Sequence, residues 1–320
     1  MPDTQPDAVV LDLPDEGPLH VLVPFPALGT ALEELSPRVR AHHIDPADGP
    51  PTGEAAEAVV WVPRTGAGVP DGFLDALPGL RLVQLTSAGA EKFVGRLPAG
   101  VVLCNARGAH TPATAEWVVA AALAAQRGIG HFAREQAAGR WSFSTQHSMV
   151  GARVLVVGAG DIGRTVGQML AGFDVELTFV ASRARDGVHG TDELPQLLPH
   201  ADVVVLLVPV TEQTTGMVDA AFLAAMADDA LLVNAARGVV VDTDALLAEL
   251  TAGRLRAALD VTDPEPLPAG HPLWSAPGLL LTPHVAGAVP ETDERATASV
   301  RAQLERVLAG RPLQNVVDAY

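Results

Sequence analysis

Three charged side chains stand just after apolar runs that have the length of buried strands. Arg237 lies in NAARG, Glu265 in LDVTDPEPLP and His284 in LLTPHVAG. Open α/β sheets bind ligands at the carboxyl ends of their strands, so an arginine, a glutamate and a histidine delivered there form a candidate catalytic site. Taken singly, each residue also has a plain structural explanation: a surface ion pair, a solvated loop or a satisfied histidine near the core.

A glycine-rich loop follows another apolar run. The segment VLVVGAGDIG places Gly158, Gly160 and Gly163 in G-x-G-x-x-G spacing, before the helix-like stretch RTVGQML. The first glycine permits a tight turn, the second lets the backbone approach a pyrophosphate, and the third lets helix and strand pack closely. The free N–H groups at the start of the helix then face the phosphates, and Asp161 and Ile162 of the loop are expected to contact the cofactor. The pattern predicts a dinucleotide-binding loop; a glycine-rich turn without a ligand is the alternative.

The segment FVASRAR stands about twenty residues beyond this loop, at the end of the next apolar run. An acidic residue at this point would accept hydrogen bonds from the ribose hydroxyls of NAD. The chain instead has Ser182, Arg183 and Arg185, which can hydrogen-bond a 2′-phosphate. The segment therefore predicts NADP in preference to NAD, although NAD stays possible. The alternative is a solvated loop whose arginines bind nothing.

The elements that must position these residues are predicted by alternating apolar runs and helical stretches. Before residue 105 the runs HVLVPFP, AVVWVP, LRLVQLTSAG and VVLCN predict buried strands of a mostly parallel sheet. An alanine-rich helix is expected from a cap at Thr111 to about Gln126, and six further runs then predict a doubly wound sheet. The stretch ETDERATASVRAQLERVLAGRPL predicts a final helix that stops at Gly310 and Pro312.

Composition excludes several classes of protein. The formal net charge is −17, with 38 acidic and 21 basic residues, so nucleic-acid binding is not expected. No window is apolar enough for a membrane span and the first residues do not resemble a signal peptide, so a cytoplasmic protein without membrane partners is predicted. The single cysteine, Cys104, is expected in the core, and no metal site is predicted.

Several of these motifs together resemble one family. GAGDIG, PVTEQT, NAARG, LDVTDPEP, HPLW and LTPHVAG occur in the order and spacing of the D-isomer-specific 2-hydroxyacid dehydrogenases, which include hydroxypyruvate and glyoxylate reductases. The resemblance covers essentially the whole chain. It implies an oxidoreductase that reduces a small 2-oxo acid to a D-2-hydroxy acid with hydride from NADPH.

The resemblance also assigns roles to the three charged residues. Arg237 matches the arginine that clamps the substrate carboxylate and polarises the 2-oxo group, a task suited to a planar guanidinium. His284 matches the proton donor to the carbonyl oxygen, and Glu265 matches the acid that orients the imidazole and favours its protonated form. A glutamate beside the histidine argues against formate as the substrate, because the formate-using relatives carry glutamine there.

Further positions match binding residues of the family. Asp260 matches the residue that hydrogen-bonds the nicotinamide carboxamide. The other expected cofactor contacts are Pro209, Thr214, Ala235, Ala236 and Gly287. In the first hundred residues, TSAGAEKF resembles the substrate loop, where the backbone N–H groups near Ser87, Ala88 and Gly89 would bind the carboxylate.

The resemblance implies an α/β fold of two doubly wound domains. A Rossmann cofactor domain (105–288) would be inserted into a discontinuous, flavodoxin-like substrate domain (1–104 plus 289–320). It further implies a homodimer, joined through the helical region from Thr111 to Trp141.

Two other functions stay open from the sequence. One is oxidation of another small anion such as phosphite, within the same fold. The other is a dinucleotide-sensing binding protein, because some relatives act as transcriptional co-repressors and can retain the three charged residues. The chain shows no long disordered tails of the kind expected for such a regulator.

Overall fold

The computed structural model describes residues 9–13 and 16–317. Its strands are β1 (Leu19–Val23), β2 (Val39–His43), β3 (Val60–Trp61), β4 (Leu82–Gln84), β5 (Val102–Cys104), β6 (Arg153–Val157), β7 (Glu176–Ala181), β8 (His189–Gly190), β9 (Val203–Leu206), β10 (Leu231–Asn234), β11 (Arg256–Leu259) and β12 (Leu279–Leu281). Its α-helices are α1 (Pro26–Glu33), α2 (Thr111–Gln126), α3 (Ile129–Ala137), α4 (Asp161–Leu170), α5 (Leu194–Leu197), α6 (Ala220–Ala225), α7 (Thr243–Thr251) and α8 (Pro290–Leu308).

The chain divides into two compact units, and the first is discontinuous. It contains the residues up to His110 together with those from Val289 onward. Its five strands pair in the order β2-β1-β3-β4-β5, all in parallel, which is the flavodoxin-like order. Helix α8 belongs to this unit, because Val300, Leu304 and Val307 pack with the buried residues of β1 and β3.

The second unit, Thr111–Ala288, is built on seven parallel strands. Read from the short edge strand, their order is β8-β7-β6-β9-β10-β11-β12, which is the Rossmann order with one more strand after it. Apolar clusters cover both faces of the sheet. Central strands buried on both faces explain why their sequences are near-continuous apolar runs. The predicted fold class, with two doubly wound parallel sheets, is confirmed.

Two strands of the structure were not predicted from the sequence. Strand β2 reads VRAHH, and only Val39 in it is buried, so it lacks the apolar run of an interior strand. Strand β8 has only two residues. Both lie at sheet edges, where solvent on one side permits polar side chains and short pairing.

The helices follow the predicted pattern closely. The alanine-rich helix is α2, which ends at Gln126 as predicted and has Thr111 as its first residue rather than as a cap before it. Helix α8 ends before Gly310, whose φ of 58° is the left-handed conformation expected just past a helix. Within the residues that the structure describes, no helix combines the length and the apolar character that crossing a lipid bilayer requires.

Candidate active site

The predicted site residues of the second unit follow strands that end on one line. The register aligns the last residues of five adjacent strands: Val157, Leu206, Asn234, Leu259 and Leu281. Because the strands are parallel, the segments that leave them emerge at the same edge of the sheet. The glycine loop, VPVTEQT, NAARG, LDVTDPEP and LTPHVAG are those segments. Adjacent strands are about 4.8 Å apart, so these motifs form a continuous row at this carboxyl edge.

The glycine loop has the geometry that a pyrophosphate needs. Gly158 has φ of 123°, and a Cβ on it would lie 2.5 Å from the carbonyl oxygen of Leu207. A Cβ on Gly163 would lie 2.2 Å from the carbonyl oxygen of Gly158, so helix α4 can approach β6 only with glycine there. A Cβ on Gly160 would meet no protein atom within 4 Å. The residues therefore fit a dinucleotide, whose phosphates would face Gly160 and the amino end of α4, where Asp161 and the half-buried Ile162 lie.

The segment after β7 holds two exposed arginines, one of which contacts this loop. Nη2 of Arg185 lies 3.4 Å from the carbonyl oxygen of Ala159, between the first two glycines of the motif. A backbone bridge between Arg185 and Val188 closes the turn. Ser182 and Arg183 are exposed, and the Arg183 side chain makes no polar contact with any other residue described in the structure. A guanidinium at this strand end is therefore available to an anionic ligand.

The next two motifs of the row are compact turns. Thr214 donates a 2.6 Å hydrogen bond from Oγ1 to the carbonyl oxygen of Pro209, and its backbone N–H lies 3.2 Å from Oγ1 of Thr211. These bonds shape the VPVTEQT turn after β9. Ala235 and Ala236 directly follow β10, and the N–H of Ala236 donates to Oδ1 of Asn234 at 3.0 Å. Both segments thus belong to the row at the carboxyl edge, and their contact with a cofactor stays a prediction.

His284 and Glu265 are brought into direct contact. Nδ1 of His284 lies 2.6 Å from Oε1 of Glu265, and both side chains are partly exposed. A carboxylate can only accept, so Nδ1 donates the hydrogen bond and Nε2 is left to exchange a proton with a ligand. This is the arrangement of a general acid with an orienting carboxylate.

The backbone of His284 is held in an uncommon conformation. Its φ is 56°, in the left-handed region that costs a non-glycine residue about 1–2 kcal/mol. Asp260 offsets this cost, because its carboxylate accepts hydrogen bonds from Oγ1 of Thr282 at 2.6 Å and from the N–H groups of Val285 and Ala286 at 2.8 Å each. Its carbonyl oxygen accepts the N–H of His284 at 2.7 Å.

Asp260 is 2% exposed, so these bonds also satisfy a buried charge. The sequence predicted Asp260 only as a cofactor contact. Its observed partners make it the residue that shapes the loop around His284, on which Gly287 also lies. Thr282, the residue of this loop whose hydroxyl reaches Asp260, was not singled out from the sequence.

Arg237 stands on a turn that a buried asparagine organises. Nδ2 of Asn234 donates to the carbonyl oxygen of Arg237 at 3.1 Å, and Nη1 of Arg237 donates to the carbonyl oxygen of Ala236 at 2.7 Å. Asn234 is 1% exposed at the end of an apolar strand. Such a polar residue, placed where β10 should continue its apolar pattern, is the signal from which its role could have been found.

The loop that carries Glu265 is fixed by two threonines that the sequence analysis did not single out. Oγ1 of Thr243, at the start of α7, donates to the carbonyl oxygen of Asp263 at 2.8 Å. Oγ1 of Thr262 donates to the carbonyl oxygen of Pro264 at 2.9 Å. The carboxylate facing His284 is thus supported by bonds on its amino-terminal side.

The predicted substrate loop belongs to the first unit and follows β4. The carbonyl oxygens of its three residues all accept hydrogen bonds: Ser87 from the N–H of Ala106, Ala88 from Nδ2 of Asn105, and Gly89 from Oγ of its neighbour Ser87. The loop is therefore ordered through its carbonyl groups. The N–H groups of these three residues have no acceptor among the residues that the structure describes.

Comparison with known proteins identifies the family of this chain. Residues 119–286 match the family model described as D-isomer specific 2-hydroxyacid dehydrogenase, NAD binding domain. The chain is 34% identical over 259 residues to a glyoxylate/hydroxypyruvate reductase B of Citrobacter koseri, with 77% of this chain and 80% of the relative covered.

Solved structures agree with the sequence relatives. A D-isomer specific 2-hydroxyacid dehydrogenase from Xanthobacter autotrophicus Py2, crystallised with NADPH and MES, superposes with a TM-score of 0.81 at 30% identity and covers 95% of this chain and 99% of its own. An NADPH-dependent glyoxylate/hydroxypyruvate reductase from Sinorhizobium meliloti, solved with NADP and sulfate, has a TM-score of 0.78 at 26% identity, covering 95% and 99%. The chain therefore belongs to the D-isomer-specific 2-hydroxyacid dehydrogenase family, whose members are NAD(P)-dependent oxidoreductases that act on the CH–OH group of small 2-hydroxy acids.

Proposed function

We propose that this chain reduces small 2-oxo acids, hydroxypyruvate and glyoxylate foremost, with hydride from NADPH. The product is the D-2-hydroxy acid wherever the new carbon centre is chiral. The observation that carries the proposal is the 2.6 Å hydrogen bond between His284 and Glu265, at the sheet edge from which the Arg237 turn also emerges.

The residues divide the work as their chemistry dictates. The guanidinium of Arg237 binds the substrate carboxylate and polarises the neighbouring carbonyl. Nε2 of His284 donates a proton to the carbonyl oxygen while Glu265 stabilises the imidazolium through Nδ1. The nicotinamide cofactor, when bound, supplies the hydride to the carbonyl carbon. Asp260 holds the loop that presents His284, and its carboxylate would be the acceptor for the nicotinamide carboxamide when the cofactor is bound.

The preference for NADP is supported by the charges after β7. A carboxylate there would repel a 2′-phosphate, whereas this chain has Ser182, Arg183 and Arg185. Arg183 is exposed without a polar partner among the described residues, and Arg185 lies against the glycine loop. Charge-assisted hydrogen bonds contribute about 1.5–3 kcal/mol each, so they favour NADPH by about ten- to a hundredfold.

A panel of initial rates tests the proposal. Glyoxylate, hydroxypyruvate, pyruvate, phenylpyruvate and 3-phosphohydroxypyruvate would each be offered with NADPH and with NADH. We expect turnover of at least one of the first two with NADPH. A flat response to the whole panel, with NADPH bound, would overturn the reductase and favour a dinucleotide-sensing protein.

The cofactor assignment has its own variant. Arg183→Asp should raise the KM for NADPH about ten- to a hundredfold and change the KM for NADH much less, because only NADPH carries the 2′-phosphate. Arg311→Asp, an exposed arginine of the first unit, is the control and should change neither. An equal rise of both KM values in Arg183→Asp would indicate that this segment is a solvated loop with no preference for NADPH.

The proposal also includes a homodimer, and its contact is assigned to residues just beyond α3 instead of to α2. Helix α2 is largely used inside its own unit, where Trp117 packs against the core. Beyond α3, Trp141 is 100% exposed and Phe143 is 90% exposed. Large apolar side chains this exposed are typical of interaction surfaces. The double variant Trp141→Ser, Phe143→Ser should therefore shift the sedimentation coefficient to that of a monomer; an unchanged dimer would place the contact elsewhere.

Other expectations stay predictions. They are the binding of substrate by the Ser87–Gly89 loop, the assignment of substrate and cofactor roles to the two units, and a cytoplasmic location.

A further inference from the structure

A second cluster of chemically active side chains lies in the first unit, on strands β1 and β2. The parallel register pairs Leu22 with His42, so His20 and His42 lie on the same face of the sheet as diagonal neighbours. Nδ1 of His20 is 2.8 Å from Nε2 of His42, and the two rings lie within 17° of parallel with centroids 5.1 Å apart. His20 is only 6% exposed, so its ring is fixed by packing.

A carboxylate completes the cluster. Glu54 lies on the 3₁₀ turn Gly53–Glu57, and one ligand atom from each of His20, His42 and Glu54 lies within 4.8 Å of the other two. The backbone positions of the two histidines are set by sheet pairing. Glu54 is exposed, so its side chain is free to adjust.

We propose that His20, His42 and Glu54 bind one divalent transition-metal ion, with Zn²⁺ as the best match. Imidazole nitrogens with a carboxylate oxygen suit Zn²⁺, whereas Mg²⁺ and Ca²⁺ require oxygen ligands. Bonds of about 2.0–2.2 Å place tetrahedral donor atoms about 3.3 Å apart. The two nitrogens now share a hydrogen bond, so they need to separate by about 0.5 Å and the less buried ring, that of His42, must turn until both nitrogens point at the ion; the exposed Glu54 closes the third side.

A further carboxylate, that of Glu57, lies near the ring nitrogen of His20 that would not bind the metal. Nε2 of His20 lies 3.8 Å from Oε2 of Glu57. When Nδ1 of His20 binds the metal, Nε2 carries the ring proton and points it at Glu57. A carboxylate on the far nitrogen of a metal-binding histidine fixes the tautomer and raises the basicity of the ligand. A hydrogen-bonded histidine pair alone would require neither Glu54 nor Glu57.

Equilibrium dialysis of the full chain against Zn²⁺ tests the proposal. We expect one Zn²⁺ per chain, with the affinity reduced at least about tenfold in Glu54→Gln and in His42→Asn, and less in Glu57→Gln. Glu54 is exposed, so Glu54→Gln remains folded and the result can be interpreted even if His42→Asn does not fold. Glu16→Gln and His43→Asn, exposed residues of the same unit, are the matched controls and should bind Zn²⁺ as the unaltered chain does.

Zn²⁺ binding at other histidines must be distinguished from binding at this site, since the chain has ten histidines. His284→Ala should keep the bound Zn²⁺, because the site lies in the other unit and does not depend on the reductase. Thermal unfolding provides a second measurement, because a ligand that binds the folded state raises Tm. At one Zn²⁺ concentration, Tm should rise more in the unaltered chain than in Glu54→Gln. Equal Zn²⁺ affinity and equal Tm shifts in both proteins would overturn the proposal.

Discussion

The seven-stranded sheet has a carboxyl edge, where its strands end, and an amino edge, where they begin. Each of these carries an aspartate that accepts several hydrogen bonds, yet the two aspartates have different roles. At the carboxyl edge, Asp260 accepts from Thr282, Val285 and Ala286 and is 2% exposed. At the amino edge, Asp202 accepts from the backbone N–H, Nε and Nη2 of Arg153 at 2.8, 3.1 and 2.6 Å. The side chains of this second pair are 39–44% exposed.

The difference lies in the donors. Asp202 accepts all its side-chain hydrogen bonds from one cationic residue, Arg153, and joins the starts of two adjacent strands, so it contributes to stability alone. Asp260 has no cation among its observed partners, because backbone amides and a hydroxyl satisfy it, and those donors belong to the loop that presents His284. A buried carboxylate satisfied by a loop fixes the shape of that loop, which is what a reaction requires. The aspartate at the carboxyl edge thus fixes the loop around His284, and the one at the amino edge holds strands together.

The largest expected difference between the two edges is in kcat, when one histidine is removed at each edge. His284→Ala should lower kcat about 10²- to 10⁴-fold, the usual contribution of a positioned proton donor, and leave the Kd for NADPH unchanged. His147 lies 3.6 Å from Asp229, which precedes β10 at the amino edge. His147→Ala is the control and should keep normal kcat. Near-normal turnover in His284→Ala would remove the histidine from the mechanism.

The second comparison is between the aspartates themselves. Asp260→Asn replaces an acceptor with a donor among buried N–H groups, so it should cost about 1–3 kcal/mol in the free energy of unfolding and also lower kcat. Asp202→Asn should cost no more than about 1 kcal/mol, because its partner is solvent-screened, and should leave kcat unchanged. Urea unfolding and steady-state rates measure both. A larger stability loss in Asp202→Asn would contradict the assignment.

The smallest effect concerns acid. The hydrogen bond from Arg153 lowers the pKa of Asp202 below its usual value. A carboxylate whose folded-state pKa is depressed stabilises the fold fully above its unfolded pKa of about 3.9 and loses that contribution as the pH falls through the folded value. The free energy of unfolding should therefore fall more steeply with acid below about pH 5 in the unaltered chain than in Asp202→Asn. Identical slopes would show that this pair contributes nothing.

Cys104 illustrates what the sequence predicts well. A cysteine in an apolar run was expected in the core, and it is fully buried at the end of β5, where burial raises the pKa of its thiol to about 12. The interior strands and α8 were predicted for the same reason, because burial on both faces of a strand leaves a continuous apolar run and burial on one helix face leaves a periodic apolar pattern.

Features that depend on pairing between distant segments could not be predicted. The bonds of Asp260 follow from the register of β11 and β12, which places residues 282–286 around its carboxylate. The His20, His42 and Glu54 cluster requires β2 to pair with β1, and β2 itself was missed because its exposed, polar sequence resembles a loop. Thr243 acts through a hydroxyl on a helix start, which no local pattern distinguishes from an ordinary capping residue.

Because His284 has a left-handed backbone conformation, selection for heat resistance and selection for turnover favour different residues at this position. Glycine adopts a φ of 56° without the cost of about 1–2 kcal/mol that a side chain incurs, so His284→Gly could make the protein more resistant to heat. The same replacement removes the imidazole. If His284 is the proton donor proposed above, directed evolution that screens only for heat resistance would favour an inactive chain, and a useful screen for this protein must retain an assay of turnover.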